Sequence, residues 1–287
     1  MTKISVVLAT RDEEGNLAKC LLSVKGLADE IVVVDEHSSD RTVEIAKNFG
    51  ARVQVTKHEP IFHKTKEKAL EMATGDWVLQ LDADEIVTPE LADEIKKVTS
   101  MSAKELDEYE RGVLKNKLFR RHQKLIEERD GAIGHSDGEY VAFFVPRLNY
   151  FLGKYLRYGG VYPDGVIRLV KRGRTHFPAK SVHEQIAVDG RVGWLKNDLL
   201  HMADPTFTRY LFRNNRYINL LADDLRKEGI GKNVFQFLNY YLIKPSGWFF
   251  LTQIRHKGIL DGWRGVVFSF FSALRFPRAY WRYLKLK

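Results

Sequence analysis

A chain of 287 residues has room for one large domain or two modest ones. A fold of that size buries roughly 75% of the surface its unfolded chain would expose. Hydrophobic residues make up 44% and charged residues 29%, an ordinary globular mix that excludes a disordered tail protein and a fibrous repeat. The single cysteine, Cys20, excludes an intramolecular disulfide framework and a cysteine-based zinc cluster, and it fits a reducing compartment.

No run of about 18 uncharged apolar residues is present, which argues against a simple spanning helix. The opening MTKISVVLATRDEE carries too short an apolar run for a signal peptide. The net charge of +9 is spread unevenly: Phe207 to Lys287 holds 15 Lys and Arg against 4 Asp and Glu, and 19 of the 34 aromatic residues. A near-neutral body with a basic, aromatic tail calls for an anionic partner, either a lipid surface or nucleic acid.

The body alternates between strand and helix patterns. Lys3 to Ala9 reads as a buried β-branched strand, and Asn16 to Val24 as a helix with Asn16 at its N-cap. Glu30 to Val34 is a second strand, ending in the polar loop DEHSSD. Asp40 to Phe49 is a helix closed by Gly50. Arg52 to Thr56 is a third strand, Lys64 to Ala73 a helix, and Asp76 to Leu81 a fourth strand followed by DADE. Pro89 opens the next helix, which runs through Val98. This rhythm predicts an α/β fold, a mostly parallel sheet flanked by helices. Residues 101 to 130 read as a surface helix or a mobile excursion, and 140–177 returns to strand patterns.

Ligands of such sheets sit at the carboxyl ends of the strands. Three polar clusters fall there: Thr10 to Glu13, Asp35 to Asp40, and Asp82 to Glu85. In extended geometry Asp82 and Asp84 point the same way and could share a hard divalent cation. Mg²⁺ or Mn²⁺ takes one or two protein carboxylates and completes its shell with phosphate oxygens and water. A short D-x-D by itself more often solvates a turn, so its context carries the weight.

The series VVLATRDEEGNL, IVVVDEHSSDRT and KTKEKALEMATGDWVLQLDADE resembles the nucleotide-binding half of a family 2 glycosyltransferase with the GT-A fold. RLNYFLGKYLRYGG, YPDGVIRLVKRG and SVHEQI extend the likeness to a bacterial subgroup typified by lipopolysaccharide core glucosyltransferases. One departure is KTKEK, where Lys66 stands at a position that the subgroup usually fills with Arg.

The resemblance implies that Thr10 and Glu13 touch nucleobase and ribose, that Asp35 bonds the base, and that Lys66 approaches the diphosphate. It implies that Asp82 and Asp84 form the D-x-D pair, with Mn²⁺ or Mg²⁺ and a UDP-sugar as donor. It also implies one in-line, inverting displacement, which needs a general base. For that base the resemblance points to Glu184 in SVHEQI, where relatives carry their catalytic carboxylate, with Asp164 in YPDG as the second choice. His201 is a candidate third metal ligand, and His183 lies beside Glu184.

The expected division is a transferase domain over 1–205 and a helical, membrane-associating region over 206–287. Within the latter, the uncharged run Gly265 to Leu274 is too short to span a bilayer but could lie in its interface. The expected setting is the cytoplasmic face of the inner membrane, with a lipid-linked or glycan acceptor and an anionic membrane surface as partners. Nucleic acid is not expected, because no binding motif for it is present. The aromatic tail could also form a subunit interface in a homo-oligomer. A sugar-nucleotide nucleotidyltransferase would want a glycine-rich loop where TRDEEGN stands. A catalytically degenerate scaffold is countered by the intact DAD and Glu184.

Overall fold

The computed structural model describes residues 2–178 and 186–286. Its first half follows the expected alternation to within a residue or two. β1 (Ile4–Thr10) is buried at every position, as a strand covered on both faces must be. α1 (Leu17–Ser23), β2 (Glu30–Asp35), α2 (Thr42–Asn48), β3 (Arg52–Val55), α3 (His63–Met72) and β4 (Trp77–Leu81) follow. β5 (Glu85–Val87) leads into α4 (Pro89–Ser100), where Thr88 Oγ1 accepts the Leu91 N–H at 3.2 Å and Pro89 occupies the first turn. Asn16 precedes α1 as expected, but its side chain does not cap the helix.

The four leading strands are parallel in the order β3-β2-β1-β4. The chain steps outward from β1 to β2 and β3, then returns to the far side of β1 as β4. Strand order therefore reverses beside β1, which opens a crevice at the carboxyl ends of the strands.

The charged stretch after α4 forms two helices, α5 (Ala103–Val113) and α6 (Lys117–Asp130). A capping box between Ser102 and Glu105 starts α5. Beyond them lie β6 (Tyr140–Phe151), β7 (Lys154–Leu156), β8 (Asp164–Lys171), β9 (Thr175–His176), β10 (Ala187–Val188), β11 (Arg191–Trp194) and β12 (Leu199–Asp204). Buried Phe119 of α6 stacks on buried Trp194 at 4.7 Å, and Phe144 of β6 stacks on the same ring at 4.7 Å. That sandwich seats the helices on the sheet and removes the mobile alternative for this segment.

β8 pairs antiparallel with both β4 and β6, and β12 antiparallel with β5. The sheet is thus mixed: parallel in its leading half and largely antiparallel beyond β4. The exception is β11, which pairs parallel with β6.

The chain divides into two compact units, one of Met1–Arg147 with Pro163–His201, the other of Leu148–Tyr162 with Met202–Lys287. The first has a continuous core that includes Leu8, Leu79, Leu81, Phe143 and Leu169. The second is mainly helical. Its helices are α7 (Phe207–Lys227), α8 (Val234–Leu238), α9 (Lys244–Phe250), α10 (Trp263–Ala273) and α11 (Arg275–Lys285), with π-helical turns at Asn239–Ile243 and Leu251–Arg255. Ile218, Ala222, Tyr240 and Tyr280 form one of its small cores. Among the described residues no helix is long and apolar enough to cross a membrane.

Glu110 of α5 lies under this fold and accepts the Trp194 N–H at 3.0 Å. Burial pushes its carboxyl up to about 7, more than that bond, Arg191 and Lys196 draw it down. Between its ordinary value of 4.5 and about 7, the folded chain keeps a proton that the unfolded chain has lost. The stability tied to neutral Glu110 is therefore full below pH 4.5 and declines as pH rises toward 7. Glu110→Gln is expected to match the wild type near pH 5 and to be more stable by about 2–3 kcal/mol above pH 8. Chemical denaturation at the two pH values checks this, and parallel pH profiles would refute it.

Candidate active site

Thr10 ends β1 and Asp35 ends β2, in register opposite each other. The Thr10 hydroxyl donates to Asp35 Oδ2 at 2.8 Å. The Ser38 N–H donates to Oδ1 at 2.7 Å and the Ser38 hydroxyl to Oδ2 at 2.6 Å. Asp35 is fully buried, and three of roughly four lone-pair positions on its carboxylate are filled. Its first task is to shape the loop after β2.

The loops after β1 and β2 are laced together. Asp12 N–H donates to Ser38 Oγ at 2.8 Å, Ser39 N–H to Asp12 Oδ1 at 2.8 Å, and Glu13 N–H to Thr42 Oγ1 at 2.7 Å. These bonds hold Asp12 and His37 at positive φ, 53° and 58°, a conformation that costs a non-glycine residue about 1 kcal/mol or more. Half-buried Glu13 accepts from Asn16 Nδ2 at 2.9 Å, which is where the Asn16 side chain goes instead of capping α1. Beside these loops an open groove of about 580 Å³ is lined by Arg11, Glu36, His37, Thr56, Lys57 and His58. Its size is that of a small-ligand site, and its cations suit an anion.

α3 joins this corner to the third polar cluster. Thr65 donates its hydroxyl to Glu36, whose other oxygen meets His58 Nδ1 at 2.7 Å. The next residue, buried Lys66, places Nζ 2.5 Å from Asp82 Oδ1. Two adjacent residues of one helix thus tie the end of β2 to the end of β4.

Asp82 is also 2.5 Å from Arg168, which reaches Glu85 at 2.7 Å and donates to Gln80. Glu85 in turn meets Arg147 at 3.1 Å, and Arg147 meets Asp164 at 2.7 Å. Burial alone would raise the Asp82 carboxyl, but Arg168, Lys66 and Arg147 together hold it well below the usual carboxylate range. Asp82 is therefore charged at any working pH and is unsuited to carry a proton.

The residues Asp82–Ala83–Asp84 form a turn rather than an extended strand, closed by the Glu85 N–H to the Asp82 carbonyl at 3.0 Å. The two carboxylates consequently face different partners: Asp82 meets the cations, and Asp84 lies 3.5 Å from His201 Nε2. His201 is brought there by β12, whose residue 201 pairs with Glu85 of β5. A shared cation cage is not preformed, and among the described residues no three His, Cys, Asp or Glu side chains form one. Asp84 and His201 offer an oxygen and a nitrogen donor side by side, a set that accepts Mn²⁺ or Mg²⁺ if the ligand supplies further oxygens.

Glu184 and His183 lie outside the described residues. Cys20 is a buried core residue, its thiol pushed up by burial, as its place on α1 predicts.

Glu36 and Glu85 fall inside two of the polar clusters without a role of their own, and Thr65, Arg147 and Arg168 were not placed at the crevice. The signal for the arginines was present. Arg147 and Arg168 interrupt apolar strand runs, and a charge buried in a strand needs a partner.

The model of the glycosyl transferase family 2 matches residues 5–100. Over those residues the chain is similar to that family. The match spans β1 to the end of α4, and so contains Thr10, Glu13, Asp35, Lys66, Asp82 and Asp84. A glycosyltransferase of Rickettsia typhi is 27% identical, covering 100% of this chain and 89% of the relative. The lipopolysaccharide core biosynthesis glycosyltransferase LpsC of Rhizobium meliloti is 24% identical over 95% of this chain and 91% of its own. A Rickettsia prowazekii glycosyltransferase is 43% identical over 34% of this chain, but only 33% of that relative is covered. Among solved structures, glucosyl-3-phosphoglycerate synthase from Mycobacterium tuberculosis, in complex with Mn²⁺, UDP and glucosyl-3-phosphoglycerate, is 30% identical over 30% of this chain and 34% of that one, with a TM-score of 0.27. The chain thus spans about a third of that structure and of several curated relatives.

Arg168→Met is expected to cost about 3–5 kcal/mol, because it strips a cation from two carboxylates that stay in place. Arg168→Lys should recover only part, since one ammonium cannot serve Gln80, Asp82 and Glu85 as a planar fork does. Urea denaturation measures both, and a loss under 1 kcal/mol in Arg168→Met would show that the network is not coupled to folding.

Proposed function

We propose that this chain is an inverting, metal-dependent glycosyltransferase. It moves a sugar from a nucleoside diphosphate sugar, a UDP-sugar by resemblance, to a hydroxyl of a lipid-linked or envelope glycan acceptor. The observation that carries the reading is the bridge through α3. Thr65 on Glu36 and Lys66 on Asp82 draw the polar ends of β2 and β4 to one crevice at the reversal of strand order.

In this reading the groove beside Glu36 and Arg11 takes the nucleoside, with Thr10, Glu13 and Asp35 supporting its wall. Lys66, already at the crevice, turns to the diphosphate. Asp84 with His201 holds the divalent ion, whose chemistry is to neutralise charge on the departing diphosphate. Asp82, permanently ionised, positions Lys66 and the ribose side of the donor. The acceptor oxygen forms a bond to the anomeric carbon as the bond to the diphosphate oxygen breaks, and a carboxylate takes the hydroxyl proton. Asp164 is committed to Arg147, which favours Glu184 as that base.

The test is transfer from radiolabelled UDP-sugars with Mn²⁺, supported by calorimetry. Asp84→Asn should lower turnover by at least about 100-fold and abolish the metal dependence of UDP binding. Glu184→Gln should lose transfer while donor affinity stays within a few-fold of wild type. Wild-type turnover in Glu184→Gln removes that residue from the mechanism, and failure of every nucleotide sugar to bind removes the reading itself.

We also propose that the helical unit docks on an anionic membrane, at the cytoplasmic face of the inner membrane, where a lipid-linked acceptor would lie. Phe212, Val234, Phe235, Ile254 and Trp263 are all more than half exposed in the most basic part of the chain. Apolar side chains among Lys and Arg are the pattern of an in-plane interfacial surface. The full chain should float with vesicles containing phosphatidylglycerol and should be released by high salt. Recovery wholly in the soluble fraction would refute the docking.

A further inference from the structure

The helical unit contains a cavity that shares no residue with the crevice. It is lined by Tyr210, Arg213, Asn214 and Tyr217 of α7, by Phe268 and Ser272 of α10, and by Arg275, the first residue of α11. The α7 residues are spaced i, i+3, i+4 and i+7, which places them on one helical face. No acidic residue lines the cavity.

Its two arginines differ in how their charge is met. Arg213 pairs with Asp204. Arg275 has no carboxylate within ion-pair distance among the described residues. Its Nε donates to the Ser272 carbonyl at 3.0 Å, one Nη to Ser272 Oγ at 3.0 Å, and its guanidinium lies 5.7 Å from the Trp248 ring centre. Burial draws its pKa down, the expected mark of a cation whose water has been removed without a counter-ion. Arg275 is half-buried, and a partly desolvated guanidinium that faces an open cavity without a carboxylate partner among the described residues offers a place for an anion.

Size narrows the choice. The cavity holds about 70 Å³, and one water needs about 10–15 Å³ of such space, so there is room for about five non-hydrogen atoms. A phosphoryl group has that many. Arg presents a rigid fork that matches phosphate oxygens, and the Tyr217 and Ser272 hydroxyls add further donors.

We propose that this cavity is a phosphoryl-anion site, in which Arg275 and Arg213 bind a phosphate group, either on a membrane lipid or free in solution. Two of the lining helices, α7 and α10, carry exposed Phe212 and Phe270. That juxtaposition suits a lipid headgroup: rings enter the acyl boundary while the arginines hold the phosphate. The site does not rest on the transferase reading, because it shares no residue with the crevice.

The full-length chain is tested with inorganic phosphate against chloride at equal ionic strength, following the melting temperature. It is then tested by flotation with phosphatidylcholine vesicles, with and without phosphatidylglycerol. Phosphate should raise the melting temperature of the wild type. Arg275→Gln should weaken the apparent phosphate affinity by about tenfold or more, and Arg275→Lys by less. Melting without phosphate reports whether each variant folds. Arg275→Lys, which keeps size and charge, carries the comparison if Arg275→Gln does not.

If vesicle binding falls in parallel and inorganic phosphate competes with it, the natural ligand is a lipid headgroup. If only the response to inorganic phosphate falls, the site takes a soluble phosphoryl compound. No phosphate-dependent stabilisation of the wild type, or an equal one in wild type and both variants, overturns the proposal.

Discussion

Asp82 is held between Lys66 and Arg168, and the electrostatic character of the whole crevice depends on that grip. A carboxylate at 2.5 Å from two cations stays ionised, and the network it belongs to balances Lys66, Arg147 and Arg168 against Asp82, Glu85 and Asp164. Each such pair is worth about 4 kcal/mol at 4 Å separation and an effective dielectric of 20, more at closer range, but desolvation takes most of it back. Such a network is thus weak evidence for stability. What it achieves is placement: Lys66, Asp82, Glu85, Arg147 and Asp164 form one chain of contacts from the parallel half of the sheet to its antiparallel half. Change at one end is felt by the next, because Asp82, Glu85, Arg147 and Arg168 each meet two partners of opposite charge.

α3 gives that corner its shape. Helix geometry sends Thr65 and Lys66 to different neighbours, one to Glu36 and the other to Asp82. The turn at Asp82–Asp84 adds the complementary division, with one carboxylate for the cationic wall and one beside His201. A pyrophosphate in the crevice would meet the cationic wall on one side and the Asp84–His201 pair on the other.

The helical unit solves a different problem. Its cores, around Ile218 and Tyr280 and around Phe151 and Tyr210, are small. Much of its aromatic surface remains exposed, at a cost in water that a soluble partner or a lipid interface would relieve. A cavity with an unmatched arginine adds a specific contact to that general affinity. Apolar surface supplies non-directional attachment, whereas a forked guanidinium supplies orientation.

The alternation of apolar runs and helical spacing determined the order of β1 to α4, because buried parallel strands and amphipathic helices write themselves into local periodicity. The motif series also carried the resemblance, since D-x-D and the Thr10 and Asp35 strand ends are short local features. Other outcomes needed the third dimension. Glu36, Glu85, Arg147 and Arg168 come from segments up to 132 residues apart, and no local pattern says which acid meets which base. The separate facing of Asp82 and Asp84 depended on a turn closed by Glu85, and the seating of α6 on Trp194 joined residues 75 apart. Periodicity records which residues leave water; only tertiary packing selects their partners, because pairing energies act through space and not along the chain.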